Sequence, residues 1–137
     1  MPLLTGIIET AIYVDDLDRA SRFYEDLFHL EQLHADDRLR AYGVAAKSVL
    51  VIFKRGASID AVALPFGKMG SHDGSGPMHF ALSIALEDLP AWEDLLARKE
   101  IAIETRIHWP RGGVSLYFRD PDNHLVELAT PGVWAIY

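Results

Sequence analysis

The chain has 137 residues, half of them hydrophobic and 24% charged, a balance that suits one compact domain and excludes a disordered chain. Thirteen Lys and Arg residues against twenty Asp and Glu residues give a formal net charge of −7, which argues against binding to nucleic acid or to an anionic membrane surface. The absence of cysteine excludes a thiolate metal site and a cysteine nucleophile. No apolar run approaches the roughly 18 residues of a membrane span, and residues 1–6 lack the features of a signal peptide, so we expect a cytoplasmic protein.

The first half of the chain predicts a strand, then a helix, then further strands. Residues 6–14 are β-branched and aromatic, and predict a strand that leads into a helix capped by Asp15 or Asp16. Apolar side chains recur every three or four residues along this helix and predict its buried face: Leu17, Ala20, Phe23, Tyr24 and Leu27. Further strands are predicted at residues 30–35, 38–44 and 47–53.

The second half of the chain repeats this plan after a glycine-rich stretch. Residues 67–77 contain four glycines and two serines, and predict a flexible connection or lid. The elements predicted after it are a strand at 78–84, a helix at 86–99, and strands at 101–107, 114–118 and 124–128. The repeat predicts one α+β domain of two βαβββ modules, with module one at about 5–64, a linker at about 65–77 and module two at about 78–131. The alternative is a single α+β sheet in which the similarity of the halves is accidental.

Three segments resemble the vicinal oxygen chelate superfamily, which includes glyoxalases, extradiol dioxygenases and bleomycin-resistance proteins. The segment 109–128 resembles the family's closing hairpin, with an aromatic strand, an Asp-Pro-Asp-Asn turn at 120–123 and a strand that ends in Glu127-Leu128. Residues 13–27 and 76–81 resemble its first strand and helix and its second-module strand. The resemblance implies a glyoxalase-like fold, in which two βαβββ modules form a curved mixed-sheet cup, and a homodimer that completes the cup.

The resemblance also implies a divalent metal site. The positions that match the family's ligands are Glu9, His79 and Glu127, and their donor atoms suit Zn, Mn, Fe(II), Ni or Mg. The fourth ligand of glyoxalases matches a position near Val51 or Ile52, which cannot coordinate a metal. We therefore expect a three-ligand site, in which the three side chains converge. The alternative places Glu9 at a solvated strand end and pairs Glu127 with an arginine.

Several further side chains are candidates for contact with a substrate. Ser115 and Tyr117 share one face of a strand, and a tyrosine hydroxyl facing the cup could donate a hydrogen bond to a substrate oxygen, so Tyr117 and Glu127 are the candidate catalytic residues. Arg111 could hold an anionic substrate group, or pair with one of the acids. His72 could reach a ligand from the glycine-rich stretch, or be a solvated or hydrogen-bonded loop residue.

Tyr117 has a second interpretation, in which its ring packs on the helix layer. Of the other histidines, His108 could also reach a ligand, and His124 is assigned to a turn.

Two functions follow from these features. One is a metal-dependent enzyme with lyase, isomerase or oxygenase chemistry on a small substrate whose adjacent oxygens chelate the metal. The other is a metal-free, bleomycin-resistance-type protein that sequesters a drug, with which the net charge of −7 and three tryptophans are compatible. The presence of both His79 and Glu127 favours the enzyme.

Overall fold

The computed structural model describes all 137 residues, which form two compact units, residues 1–76 and residues 77–137. The first unit has one helix on a four-stranded sheet of order β1-β4-β3-β2, in which β1 and β4 are parallel and the other neighbours antiparallel. Its elements are β1 (Glu9–Val14), α1 (Leu17–Phe28), β2 (Glu31–Ala35), β3 (Leu39–Val44), β4 (Ser48–Lys54), β5 (Val62–Leu64) and β6 (Gly67–Met69).

The second unit has the same plan. Its sheet has the order β7-β10-β9-β8, with β7 and β10 parallel and the other neighbours antiparallel. Its elements are β7 (His79–Ser83), a 3-10 turn (Leu86–Asp88), α2 (Leu89–Arg98), β8 (Thr105–His108), β9 (Val114–Arg119) and β10 (Leu125–Ala129). The prediction of two βαβββ modules of mixed α+β structure is therefore confirmed.

Helix α1 begins and ends where its sequence supplies caps. The Asp16 carboxylate accepts a hydrogen bond from the backbone N–H of Arg19 at 3.0 Å, and His29 closes the helix in the left-handed conformation at φ 52°. The apolar face is buried as predicted, except that Phe23 is half-buried and Ser21 is buried in its place. The helix packs on β3 and β4, so these strands have one helix-covered face and one opposite face.

The glycine-rich stretch is more ordered than the sequence predicted. Gly67–Met69 forms a strand that pairs antiparallel with Val62–Leu64, because the intervening Pro65 and Phe66 make a tight turn. Thereafter the backbone N–H of His72 bonds to the Ser58 carbonyl at 2.8 Å. The strand predicted at 101–107 is shorter and begins at Thr105.

The turn that precedes β10 is formed as predicted, but its histidine is buried. The Asp120 carboxylate accepts hydrogen bonds from the backbone N–H groups of Asp122 and His124, at 2.9 and 2.8 Å. The His124 ring is fully buried, and its Nδ1 accepts a hydrogen bond from the Met78 backbone N–H at 2.8 Å. The turn thereby holds the start of β7 against the start of β10, next to His79.

Neither helix is long and apolar enough to cross a membrane, since the longer one, α1, has 12 residues.

Candidate functional site

One face of the second sheet is apolar and the other carries polar side chains. Val126 and Leu128 of β10 and Leu116 and Phe118 of β9 are fully buried on the apolar face. The alternate residues form the second face, which we call the polar face: His79 of β7, Leu125 and Glu127 of β10, Ser115 and Tyr117 of β9, and Thr105 and Ile107 of β8. The prediction that Ser115 and Tyr117 share a strand face is confirmed by this register.

A histidine and a glutamate meet on the polar face. The His79 Nε2 lies 3.3 Å from Glu127 Oε2, and the His79 Nδ1 lies 2.9 Å from the Leu125 carbonyl oxygen. A carbonyl can only accept a hydrogen bond, so Nδ1 carries the proton. Nε2 then carries a second proton or presents a lone pair to the carboxylate. The second arrangement is repulsive unless a cation lies between the two groups.

Glu127 is held from its other side by a chain of two hydrogen bonds. The Ser115 hydroxyl donates to Glu127 Oε1 at 2.5 Å, and the Trp109 indole N–H donates to the Ser115 oxygen at 2.8 Å. Ser115 is fully buried and Glu127 is 6% exposed, so water does not compete for these bonds. The sequence did not indicate this role for Trp109, although its spacing of six residues from Ser115 across a glycine turn was visible.

The turn that carries Trp109 is itself hydrogen-bonded. The Trp109 backbone N–H bonds to the Gly113 carbonyl at 2.8 Å, and the Gly112 N–H bonds to the Trp109 carbonyl at 2.9 Å. The indole therefore approaches Ser115 from a closed turn. Arg111, at the tip of this turn, is exposed and forms no ion pair.

Tyr117 borders a small cavity beside the His79–Glu127 pair. Its ring centroid lies 6.0 Å from that of His79, and it stands opposite Glu127 in the strand register. The cavity has a volume of about 200 Å³ and is lined by Glu104, Thr105, Ile107, Tyr117 and Leu125. Burial and the negative charge of Glu127 raise the pKa of Tyr117, so its hydroxyl keeps its proton. The interpretation that Tyr117 packs on the helix layer is wrong, because its side chain is on the polar face.

Glu9 lies in the first unit and makes no side-chain hydrogen bond or ion pair. It pairs with Val49 at the start of β1, just as His79 pairs with Leu125 at the start of β7. By the same register Val51, opposite Ala11, takes the place that Glu127 has opposite Ala81. The residue of the first unit that is equivalent to Glu127 in register is therefore Val51, whose side chain cannot coordinate a metal.

The structure brings together two of the three predicted metal ligands. No group of three or more His, Asp or Glu side chains is arranged to hold a metal ion within one chain. That Glu9 joins His79 and Glu127 stays a prediction. The alternative in which Glu127 pairs with an arginine is wrong, because its partners are His79 and Ser115.

His72 and His108 differ in their exposure to solvent. His72 is half-buried in the first unit, with its Nδ1 2.6 Å from the Tyr13 hydroxyl, whereas His108 is exposed on β8. The bond to Tyr13 agrees with the interpretation of His72 as a hydrogen-bonded loop residue, and its contact with a ligand stays a prediction.

Comparison with known proteins agrees with this architecture. The chain is 28% identical over 132 residues to the metallothiol transferase FosB of Bacillus licheniformis, covering 96% of this chain and 79% of the relative. Among solved structures, the lactoylglutathione lyase of Agrobacterium tumefaciens matches with a TM-score of 0.88 and 30% identity, covering 96% of this chain and 98% of that one. The fosfomycin resistance protein FosX of Mesorhizobium loti matches with a TM-score of 0.65, 22% identity and 96% of each chain covered, and shares the fold.

The family model of the Glyoxalase/Bleomycin resistance protein/Dioxygenase superfamily matches residues 6–128, which is most of the chain. The repeated βαβββ plan and the closing hairpin lie within the matched range. The chain therefore belongs to the glyoxalase/bleomycin resistance protein/dioxygenase superfamily.

Proposed function

We propose that the protein is a metal-dependent vicinal oxygen chelate enzyme that acts on a small substrate with two neighbouring oxygens. The observation that carries this proposal is the His79–Glu127 pair, in which the Leu125 carbonyl fixes the proton on Nδ1 and leaves Nε2 directed at a carboxylate oxygen. Histidine ligands of metals commonly donate their other ring N–H to a backbone carbonyl in this way.

The residues present fit a divalent metal. Ser115 occupies Glu127 Oε1, so Oε2 and His79 Nε2 remain for coordination, and Glu9 is the proposed third ligand. One imidazole and two carboxylates suit Zn, Mn, Fe(II), Ni or Mg. When bound, such an ion supplies Lewis acidity that stabilises negative charge on a substrate oxygen.

The chain's own residues would orient the substrate, and Tyr117 would keep its hydroxyl proton. The Tyr117 hydroxyl, protonated through the neutral range because burial and Glu127 raise its pKa, would donate a hydrogen bond to a substrate oxygen. Ile107 and Leu125 give the adjacent cavity apolar walls that exclude water. Glu127 is the candidate for receiving a substrate proton, and with Oε2 on the metal its acceptor would be Oε1, which also accepts the Ser115 hydrogen bond.

The relatives support transfer or lyase chemistry. One is described as a metallothiol transferase and another as a lactoylglutathione lyase. Val51 in place of a carboxylate favours the three-ligand arrangement over the four-ligand one that the glyoxalase resemblance implies. We therefore propose a three-ligand enzyme of the transferase type that acts on an oxygen-bearing substrate.

Metal content tests this proposal. Protein purified without chelator, or dialysed against Mn²⁺, is expected to hold about one divalent ion per active site by elemental analysis. A protein that holds no metal at micromolar Mn²⁺, Zn²⁺ or Ni²⁺ would instead support the second candidate, a metal-free drug-binding protein. The second candidate draws support from the lack of a three-ligand group within one chain and from the net charge of −7.

We also propose that the protein is a homodimer. An apolar segment precedes β1, and its large side chains are mostly in solvent: Leu3, Leu4, Ile7 and Ile8 are 82, 98, 85 and 68% exposed. A contiguous apolar surface of this kind is typical of an interface. Light scattering at micromolar concentration is expected to give twice the chain mass of 15.3 kDa, and a monomer mass would contradict the proposal.

A further inference from the structure

A second cluster of aromatic and polar side chains lies in the first unit, on the face of its sheet opposite helix α1. Tyr13 and Phe53 are paired across β1 and β4, and their rings stack with centroids 5.5 Å apart. The His72 ring stands edge-on to Phe53, at 4.6 Å, and its Nδ1 lies 2.6 Å from the Tyr13 hydroxyl. None of these residues takes part in the site proposed above.

An arginine without a carboxylate partner completes the cluster. The Arg38 guanidinium lies 5.8 Å from the Phe53 ring centroid, and its Nη1 donates to the buried Ser58 hydroxyl at 3.1 Å. Arg40 of β3 and Arg55, which follows β4, are each paired with an aspartate at 3.1 Å. A partly buried, unpaired arginine is unusual in a chain with an excess of acids, and its remaining N–H groups suit a bidentate anion.

The segment that carries His72 is fastened to the chain that follows β4. The His72 backbone N–H bonds to the Ser58 carbonyl at 2.8 Å, the Gly56 N–H bonds to the Asp73 carboxylate at 3.1 Å, and Arg55 bonds to the Gly76 carbonyl at 3.1 Å. Arg38 and His72 both contact Ser58 and both flank the Phe53 ring. Both basic side chains are therefore positioned against the same aromatic ring and the same serine.

The hydrogen bond between the Tyr13 hydroxyl and Nδ1 bears on which ring nitrogen of His72 carries the proton. Burial and the charge of Asp73 raise the pKa of Tyr13, so the phenol keeps its proton, which it can donate to Nδ1 at 2.6 Å. A neutral ring that accepts at Nδ1 carries its own proton on Nε2, which is then a donor. Two carboxylates of this region are occupied by backbone N–H groups: Asp73 accepts from Gly56 at 3.1 Å and Asp36 accepts from Arg38 at 2.8 Å, and neither forms an ion pair with the Arg38 guanidinium or with His72.

We propose that Arg38 and His72 form an oxyanion-binding subsite, with Tyr13 as the positioning residue that orients the His72 ring. The subsite would take a carboxylate or a phosphate-like group, with the Arg38 guanidinium and the His72 Nε2–H as its donors. The subsite rests on the proposed function in one respect, because the anion that it binds is taken to be part of the substrate. The substrate would then be an oxyanion-bearing small molecule.

Anion binding to metal-free protein tests the subsite. The chelator-treated protein is titrated separately with inorganic phosphate and with acetate, and the His72 ring signals are followed by NMR. Saturable shifts are expected. Tighter binding of phosphate would indicate a site for a tetrahedral anion, and tighter binding of acetate would indicate a site for a planar carboxylate. Arg38→Gln is expected to weaken binding by about tenfold or more, the usual size of one lost charged hydrogen bond. Arg38→Lys keeps the positive charge but not the planar arrangement of guanidinium N–H donors, so its anion binding should be weakened by less.

Matched variants keep the result interpretable. Arg98→Gln removes an equal charge from the last turn of α2 and should leave the affinity unchanged. Tyr13→Phe should shift the His72 ring signals and weaken binding by roughly threefold, since the ring loses its fixed orientation. Absence of saturable shifts, equal affinity in Arg38→Gln, or loss of binding only in Arg111→Gln would each overturn the subsite.

This outcome is separable from that of the proposed function. Metal binding with no anion binding overturns the subsite alone, and anion binding with no metal overturns the metal enzyme alone.

Discussion

Replacing His79 with alanine is expected to abolish divalent metal binding while leaving the fold intact. The His79 side chain is 49% exposed and its polar partners are the Leu125 carbonyl and Glu127, so its removal leaves no cavity in the core. It is also the only neutral nitrogen ligand of the proposed set, and two carboxylates alone repel each other and bind a transition metal weakly. Metal content by elemental analysis, Mn²⁺ titration by calorimetry and the unfolding temperature measure the two parts of this expectation.

Two further variants test how specifically metal binding depends on His79 and its neighbours. Ser115→Ala keeps all three proposed ligands but frees Glu127 Oε1, and should weaken Mn²⁺ binding by about 10- to 100-fold, as loss of a hydrogen bond to a ligand commonly does. His108→Ala removes an exposed histidine from β8 and should change nothing. Full metal stoichiometry in His79→Ala would show that the metal lies elsewhere.

Replacing Gly113 with alanine is expected to destabilise the second unit by about 3 kcal/mol, near the upper end of the usual cost of overpacking. A Cβ on Gly113 would lie 2.5 Å from the Gly132 carbonyl carbon, and one on Gly132 would lie 2.6 Å from the Gly113 nitrogen. Both contacts are with backbone, which cannot rotate away. The neighbouring bonds, from the Val114 N–H to Thr130 Oγ1 and from the Thr130 N–H to the Val114 carbonyl, fix this approach at 2.8 and 3.0 Å.

The measurement is thermal unfolding, in which a loss of this size corresponds to a fall of roughly 10 °C. Gly112→Ala is the matched control, because Gly112 has a positive φ of 93° but no atom within 4 Å of the added Cβ, so only about 1 kcal/mol should be lost. Equal unfolding temperatures for the two variants would contradict the close approach. The Gly113 variant should also loosen the turn that carries Trp109, and Trp109 fluorescence would report it.

Local pattern was enough to predict the strands and helices that bear the site. The apolar spacing from Leu17 to Leu27 places α1, and the Asp120–Asn123 turn followed by alternating residues places β9 and β10. Hydrophobic periodicity and turn chemistry depend on neighbouring residues only, so a single sequence contains them. The same alternation puts Ser115 and Tyr117 on one face.

What the tertiary structure decided lies between residues far apart in the chain. The pairing of His79 with Glu127, 48 positions apart, requires β7 and β10 to be adjacent, parallel and in one register. The burial of His124 against Met78, the bond from Trp109 to Ser115 and the placement of Arg38 and His72 against the Phe53 ring depend likewise on packing that no local period contains. Strand register is set by the combined burial of a whole face, because a shift of one residue exchanges the two faces. The sequence by itself therefore determined which side chains are available on each strand, and only the folded chain decided which of them meet.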